Sequence, residues 1–180
     1  MKPTASLVTV ALILLAVVLG CNSSADNSQA TANAAPTPTP TPSCGLSGPE
    51  CEYLDAAQAY LKSIQDADGA MSEAIKKKAS GTEWLKDVAE AATKARSAES
   101  EGFSNAYSKV AVPAGHEPLD KQLKAVHKEH ADAFNEIAAY SNDGDLSHIL
   151  KGSEKFKRAM ATANKAVGDF NKKVESINVL

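Results

Sequence analysis

Apolar residues recur at alternating spacings of three and four through four proline-free windows of this chain, the period of a helix with one buried stripe. The first stripe is Leu54, Ala57, Leu61, Ile64, Met71 and Ile75, which predicts a helix over about 50–78. The second is Leu85, Val88, Ala92, Ala95, Gly102, Ala106 and Val110, flanked by Trp84 and Phe103, for a helix over about 82–110. Leu119, Leu123, Val126, Ala133, Ile137 and Tyr140 mark a third over about 117–141. Leu146, Ile149, Phe156, Met160, Ala163, Val167, Phe170, Val174 and Ile177 mark a fourth over about 145–178.

Punctuation between the stripes agrees. Pro49, Pro113 and Pro118 stand only at window edges, where a missing N–H is tolerated. Ser80-Gly81-Thr82-Glu83 has the spacing of a capping box. Asn142-Asp143-Gly144 ends the third window, with Asp143 or Asp145 available to cap the fourth. No β-branched run alternates with period two, so the expected fold is all-α. Four amphipathic helices on short loops are best satisfied by an antiparallel up-down four-helix bundle, here over 44–180.

The pattern changes before the first window. Leu7 to Leu19 is apolar or small throughout except Thr9, follows the lone cation Lys2, and is too short for a membrane span of about 20 residues. It ends in Val18-Leu19-Gly20-Cys21. That ending resembles the aliphatic-aliphatic-small-Cys box of bacterial lipoproteins, a resemblance confined to the first 21 residues. It implies removal of 1–20 as a signal peptide and acylation of Cys21, with palmitate among the attached chains. The chain would then be held on a cell membrane or outer membrane, facing an extracytoplasmic compartment. Asn22 rather than Asp follows the cysteine, and the leaflet stays open. A plain secretory signal with an incidental Cys21 is the competing reading.

From Asn22 to Ser43 the chain is Ser, Asn, Ala, Thr and Pro apart from Gln29 and one charge, Asp26. Such a segment buries too little apolar surface to offset its ordering entropy, and is expected to be a disordered tether reaching on the order of 25 Å. The Pro36–Pro42 run is read as a spacer, with a partner ligand or glycosylation site as alternatives. Cys44 and Cys51 follow. Acylation of Cys21 would leave them as an even pair in an oxidising compartment, and a disulfide closing their short loop would contribute roughly 2.5 kcal/mol.

Net charge is −3 with both signs interspersed, so nothing draws the domain to nucleic acid. The chemistry worth weighing lies where the stripes are interrupted. Asp68, Glu99, His130 and Ser153 each stand where a hydrophobe is due. Counted from the turn at Pro113, Glu99 and His130 lie at nearly one height, with Asp68 roughly 9 Å higher. This predicts a Glu99–His130 contact inside the bundle, with Asp68 joined through water. Three readings stand: a structural polar layer that fixes register; a slight rotation that turns Ala98 inward and Glu99 to the boundary; and a metal or ligand site built from Glu99, His130, His127 and Asp68. Haem between His130 and Met160 is a weaker variant of the third. His148 reads as a surface residue.

Paired Glu-x-x-His elements, His-Glu-x-x-His, Gly-x-Ser-x-Gly and a phosphate-cradling glycine loop are all missing from the sequence. The expectation is a binding module rather than an enzyme, with no cofactor beyond the lipid on Cys21. Its partners would be the membrane and an envelope protein or small ligand. A metal- or cofactor-binding carrier is the alternative.

Overall fold

A computed structural model describes residues 48–77 and 82–178. Cys21, Cys44, the tether and the Ser80 capping box lie outside the described residues. Four α-helices account for most of the described chain: α1 Pro49–Lys76, α2 Thr82–Asn105, α3 Glu117–Asp143 and α4 Leu146–Asn178. No strand occurs among the described residues, and the fold is all-α.

Local chemistry explains where these helices start and stop. Gly48 sits at φ 102°, a conformation that suits a residue without Cβ, and its carbonyl accepts the N–H groups of Cys51 and Glu52. Pro49 then occupies the first turn, with Glu50 and Glu52 beside the positive end of the helix dipole. At the α3–α4 corner Gly144 is left-handed at φ 70° and its N–H caps the Tyr140 carbonyl at 2.8 Å. Asp145 Oδ1 accepts the Ser147 N–H at 2.8 Å, an N-cap for α4.

The second helix is shorter than its stripe predicts. It ends at Asn105, and Tyr107–Lys109 forms a 3-10 turn. A continued helix would put Ala106 on the seam and turn Tyr107 about 80° away from Glu99. Breaking the helix instead drops Tyr107 into the interior. There its ring stacks on Tyr60 with centroids 5.5 Å apart. Its hydroxyl donates to Asp120 Oδ1 at 2.7 Å and, with its proton so committed, receives that of Tyr53 at 3.1 Å. Burial raises the Tyr107 phenol far above its usual range and the proton given to Asp120 adds to the rise, so it stays a donor. Tyr107→Phe should therefore lower stability by about 1 kcal/mol in chemical denaturation. An unchanged midpoint would mean that the turn is held by ring packing alone.

Consecutive helices pack on one another, α3 with α4 most extensively, and α1 touches α4 more lightly. Two close approaches depend on glycine. A Cβ on Gly102 would strike the Ser63 side chain, and one on Gly152 would strike both the side chain and the backbone of Ile137. The interior is not one continuous core. One apolar cluster gathers Met71, Leu85, Phe134, Ile137, Ile149 and Phe156; the other gathers Tyr53, Tyr60, Leu61, Leu123, Val167 and Phe170. Between them lies a layer of polar side chains.

Candidate functional site: a polar layer between two apolar cores

Glu99 is the centre of this layer and is 0% exposed. An isolated carboxylate in such a place is very costly, so its partners decide whether the layer can exist. Three donors converge on it. Tyr60 from α1 donates its hydroxyl to Oε1 at 2.8 Å. His127 from α3 places Nδ1 2.6 Å from the same oxygen, and Arg96, one turn back on α2, reaches Oε2 at 3.3 Å. Burial, then the adjacent Glu99 charge, pushes the Tyr60 phenol far upward, keeping its proton available. The His127 ring lies flat against Phe103, with centroids 3.9 Å apart and planes 1° from parallel, which fixes its orientation.

His130 forms the second half and is also 0% exposed. Its Nδ1 is 2.9 Å from the Val126 carbonyl, and its Nε2 is 3.1 Å from Asp68 Oδ1. A carbonyl can only accept, so Nδ1 must carry a proton. Facing a carboxylate, Nε2 needs one too, and the geometry describes an imidazolium. Burial works against that charge, but the Asp68 hydrogen bond and charge, followed by the Val126 carbonyl and Glu99, outweigh it and raise the His130 pKa. Phe134 and Phe156 close the apolar side of the ring.

The structure thus brings Glu99 to His127 and Asp68 to His130. The expected Glu99–His130 contact is no hydrogen bond, though the Glu99 charge acts on His130, and Asp68 reaches His130 directly instead of through water. Counting heights along the axis ignored direction around it. His127 and His130 are three residues apart and point about 60° from each other, so one turns to α2 and the other to α1. The rotated-helix reading is overturned: Ala98 is exposed and Glu99 fully enclosed. Ser153 is buried as the stripe implied, with its hydroxyl bonded to nothing in the structure.

Tyr60, Arg96 and Phe103 complete the layer, and sequence reasoning gave the first two no role. A signal was present for each: Tyr60 precedes Leu61 on the inner stripe with a hydroxyl needing a partner, and Arg96 stands three residues before Glu99.

His148, expected at the surface, is partly exposed at the α3–α4 corner and is engaged there, with Nδ1 2.9 Å from Glu136 and Nε2 3.2 Å from Asp143. Lys155 joins Glu136 at 2.6 Å. Glu136 is the main cause of a raised His148 pKa.

Among the described residues, no three His, Cys, Asp or Glu side chains converge in a way that would hold a metal ion. At His130 both ring nitrogens are already engaged, which leaves no lone pair for a metal or a haem iron. What the layer can do chemically is hold charge in balance and set which helices pair at which height.

A pH dependence follows from His130. Its folded-state pKa lies above the unfolded value of about 6.5, so its stabilisation is complete below that pH and is lost as pH rises through the folded value. His148 acts with the same sign. Thermal midpoints should therefore fall on going from mildly acidic to mildly alkaline buffer. In a His148→Gln background the remaining fall belongs to His130, and Asp68→Asn should flatten it. A fall that persists in the double variant would locate the titration elsewhere. At the acid end Glu136 and Asp145, both with lowered pKa, lose their stabilisation only as pH drops below the ordinary carboxylate range.

No family model matches this chain, and neither the curated proteins nor the solved structures contain a match to it. No helix among the described residues is long and apolar enough to cross a membrane.

Proposed function

We propose that this chain is an extracytoplasmic lipoprotein, anchored through acylated Cys21, whose helical domain is a binding module for an envelope partner and not a catalyst. The observation that carries the reading is Val18-Leu19-Gly20-Cys21 at the end of a short apolar run. Two acyl chains or more hold a protein stably where one would not. The Asn22–Ser43 segment acts as the tether, and Cys44 pairs with Cys51 in the first turn of α1 to staple the entry to that helix.

The helices run up-down and antiparallel. Supporting this, passing from Tyr60 to Ala74 along α1 moves the α2 partner backwards from Glu99 to Trp84, whose indole N–H donates to the Ala74 carbonyl. Passing from Glu129 to Glu136 along α3 likewise moves the α4 partner back from Thr162 to Lys155. The binding-module reading is supported by the polar layer itself. Its acids, bases and hydroxyl are spent on one another, and Glu99, His130 and Tyr60 have no exposed surface with which to meet a substrate.

Mass spectrometry of the protein from its native host tests the anchor. The expected N-terminus is Cys21 carrying acyl chains, and Cys21→Ser should release the domain from the membrane fraction. An unmodified N-terminus downstream of Cys21 would refute it. Cross-linking in the same cells should capture one recurrent envelope partner, and a Cys21→Ser chain should lose that capture.

A further inference from the structure

A groove of about 490 Å³ runs along the α3–α4 seam, lined by Gly115, His116, Lys121, Gln122, Lys165 and Lys173 among others. Three lysines face one carboxylate there, Asp169, whose nearest cation is Lys172 at 3.8 Å. Lys121, Lys165 and Lys173 have no carboxylate partner among the described residues. This contrasts with Lys62, Lys76, Lys94, Lys124 and Lys155, each paired with an acid. Gln122 lines the same groove, and its side-chain amide nitrogen is buried and donates to nothing in the structure. In a chain of net charge −3 this is a local excess of cationic donors.

The groove's place in the fold narrows what it meets. His116, at its end, lies 3.2 Å from Glu50 and edge-on to Tyr53, both in the opening turns of α1. The groove therefore opens at the end of the domain where the chain arrives from Cys21. Lys165 and Lys173 are eight residues apart on one face of α4, roughly 12 Å along the helix. One small anion would meet a single lysine of this row. A surface of many anionic headgroups meets all of them.

We propose that this groove docks on the phosphate headgroups of anionic phospholipids, a second contact that lays the tether end of the domain against the membrane. The inference rests on the proposed Cys21 anchor for its geometry. A lipid anchor joined to a basic patch is a two-signal arrangement, in which each contact raises the effective concentration of the other. Glu52 and Glu175 stand exposed at this end but do not line the groove, and three other acids here are engaged within the fold. Glu117 accepts the Gly115 N–H, Asp120 holds Lys124 and Tyr107, and Glu50 faces His116.

The test uses the full chain purified from its native host and placed in vesicles, and reads the rate at which an amine-acylating reagent modifies each lysine. On vesicles containing phosphatidylglycerol, Lys121, Lys165 and Lys173 should be modified at least about threefold more slowly than on phosphatidylcholine alone, and high salt should abolish the difference. Lys86 and Lys151, exposed near the other end, should not change. Equal rates on the two vesicle types would overturn the proposal. So would equal protection by inorganic phosphate without vesicles, which would assign the groove to a soluble anion. The same digest gives the mass of the Cys21 peptide and so separates the two readings. Protection with an unmodified Cys21 would keep the groove and remove the anchor, and the reverse pattern would do the opposite. A Lys165→Gln, Lys173→Gln chain, altered only on the surface, should lose protection at Lys121 while keeping its thermal midpoint.

Discussion

Replacing Glu99 with alanine is expected to lower stability by about 3–5 kcal/mol, measured by urea denaturation at neutral pH. The cost comes from what stays behind. Tyr60, His127 and Arg96 all lose their acceptor inside a layer enclosed by two apolar clusters. Glu99→Gln should cost less, because an amide oxygen still accepts from Tyr60 while the charge that faces Arg96 is gone. Pairing Glu99→Ala with Tyr60→Phe tests the assignment further. Once the acceptor is gone, removing the hydroxyl should be neutral or helpful, giving a coupling of about 1 kcal/mol or more. A loss below about 0.5 kcal/mol for Glu99→Ala would mean that water reaches the carboxylate freely.

Gly152→Ala should be the more damaging of the two alanine substitutions at the close glycine approaches. Alanine is normally the better helix residue by about 1 kcal/mol, and Gly69→Ala and Gly168→Ala, with open space around the added Cβ, should stabilise by that much. At Gly152 the sign reverses. The new Cβ would lie 2.8 Å from the Ile137 backbone nitrogen as well as against its side chain, forcing α3 and α4 apart over their most extensive interface. The expected loss is about 2–3 kcal/mol. Ile137→Ala should not rescue it, because the backbone contact remains. Gly102→Ala offers the contrast. Its Cβ would strike only side-chain atoms of Ser63, so Ser63→Gly should restore most of the loss. Equal rescue at both sites would show that the α3–α4 spacing is set by side chains and not by backbone approach.

The residues of the polar layer were legible one at a time. Asp68, Glu99 and His130 each break a three-four stripe, and a stripe is a local property of the chain. Their pairing was not legible. Which carboxylate meets which histidine depends on the direction each side chain takes around its own helix, and heights along the axis carry none of that information. Tyr60 escaped because it stands beside the Ala57, Leu61 and Ile64 stripe and not on it, and its hydroxyl gains a role only when traced to Glu99. The early end of α2 escaped for a related reason. Ala106 and Val110 continue the stripe well enough, and what stops the helix is the gain from seating Tyr107 between Tyr53, Tyr60 and Asp120, on α1 and α3.

Four helices, the start at Pro49, the stop at Gly144, a choice of Asp143 or Asp145 to cap α4 and the identities of the polar interruptions could thus be read from the chain alone. Periodicity, capping and helix-breaking act within a few residues and need no partner. Tertiary structure alone decided that the core is divided in two, that Glu99 turns to Tyr60 and His127 while His130 turns to Asp68, and that Lys121 meets Lys165 and Lys173 across one groove. Each of these joins side chains tens of residues apart, and their meeting is set by how whole helices pack.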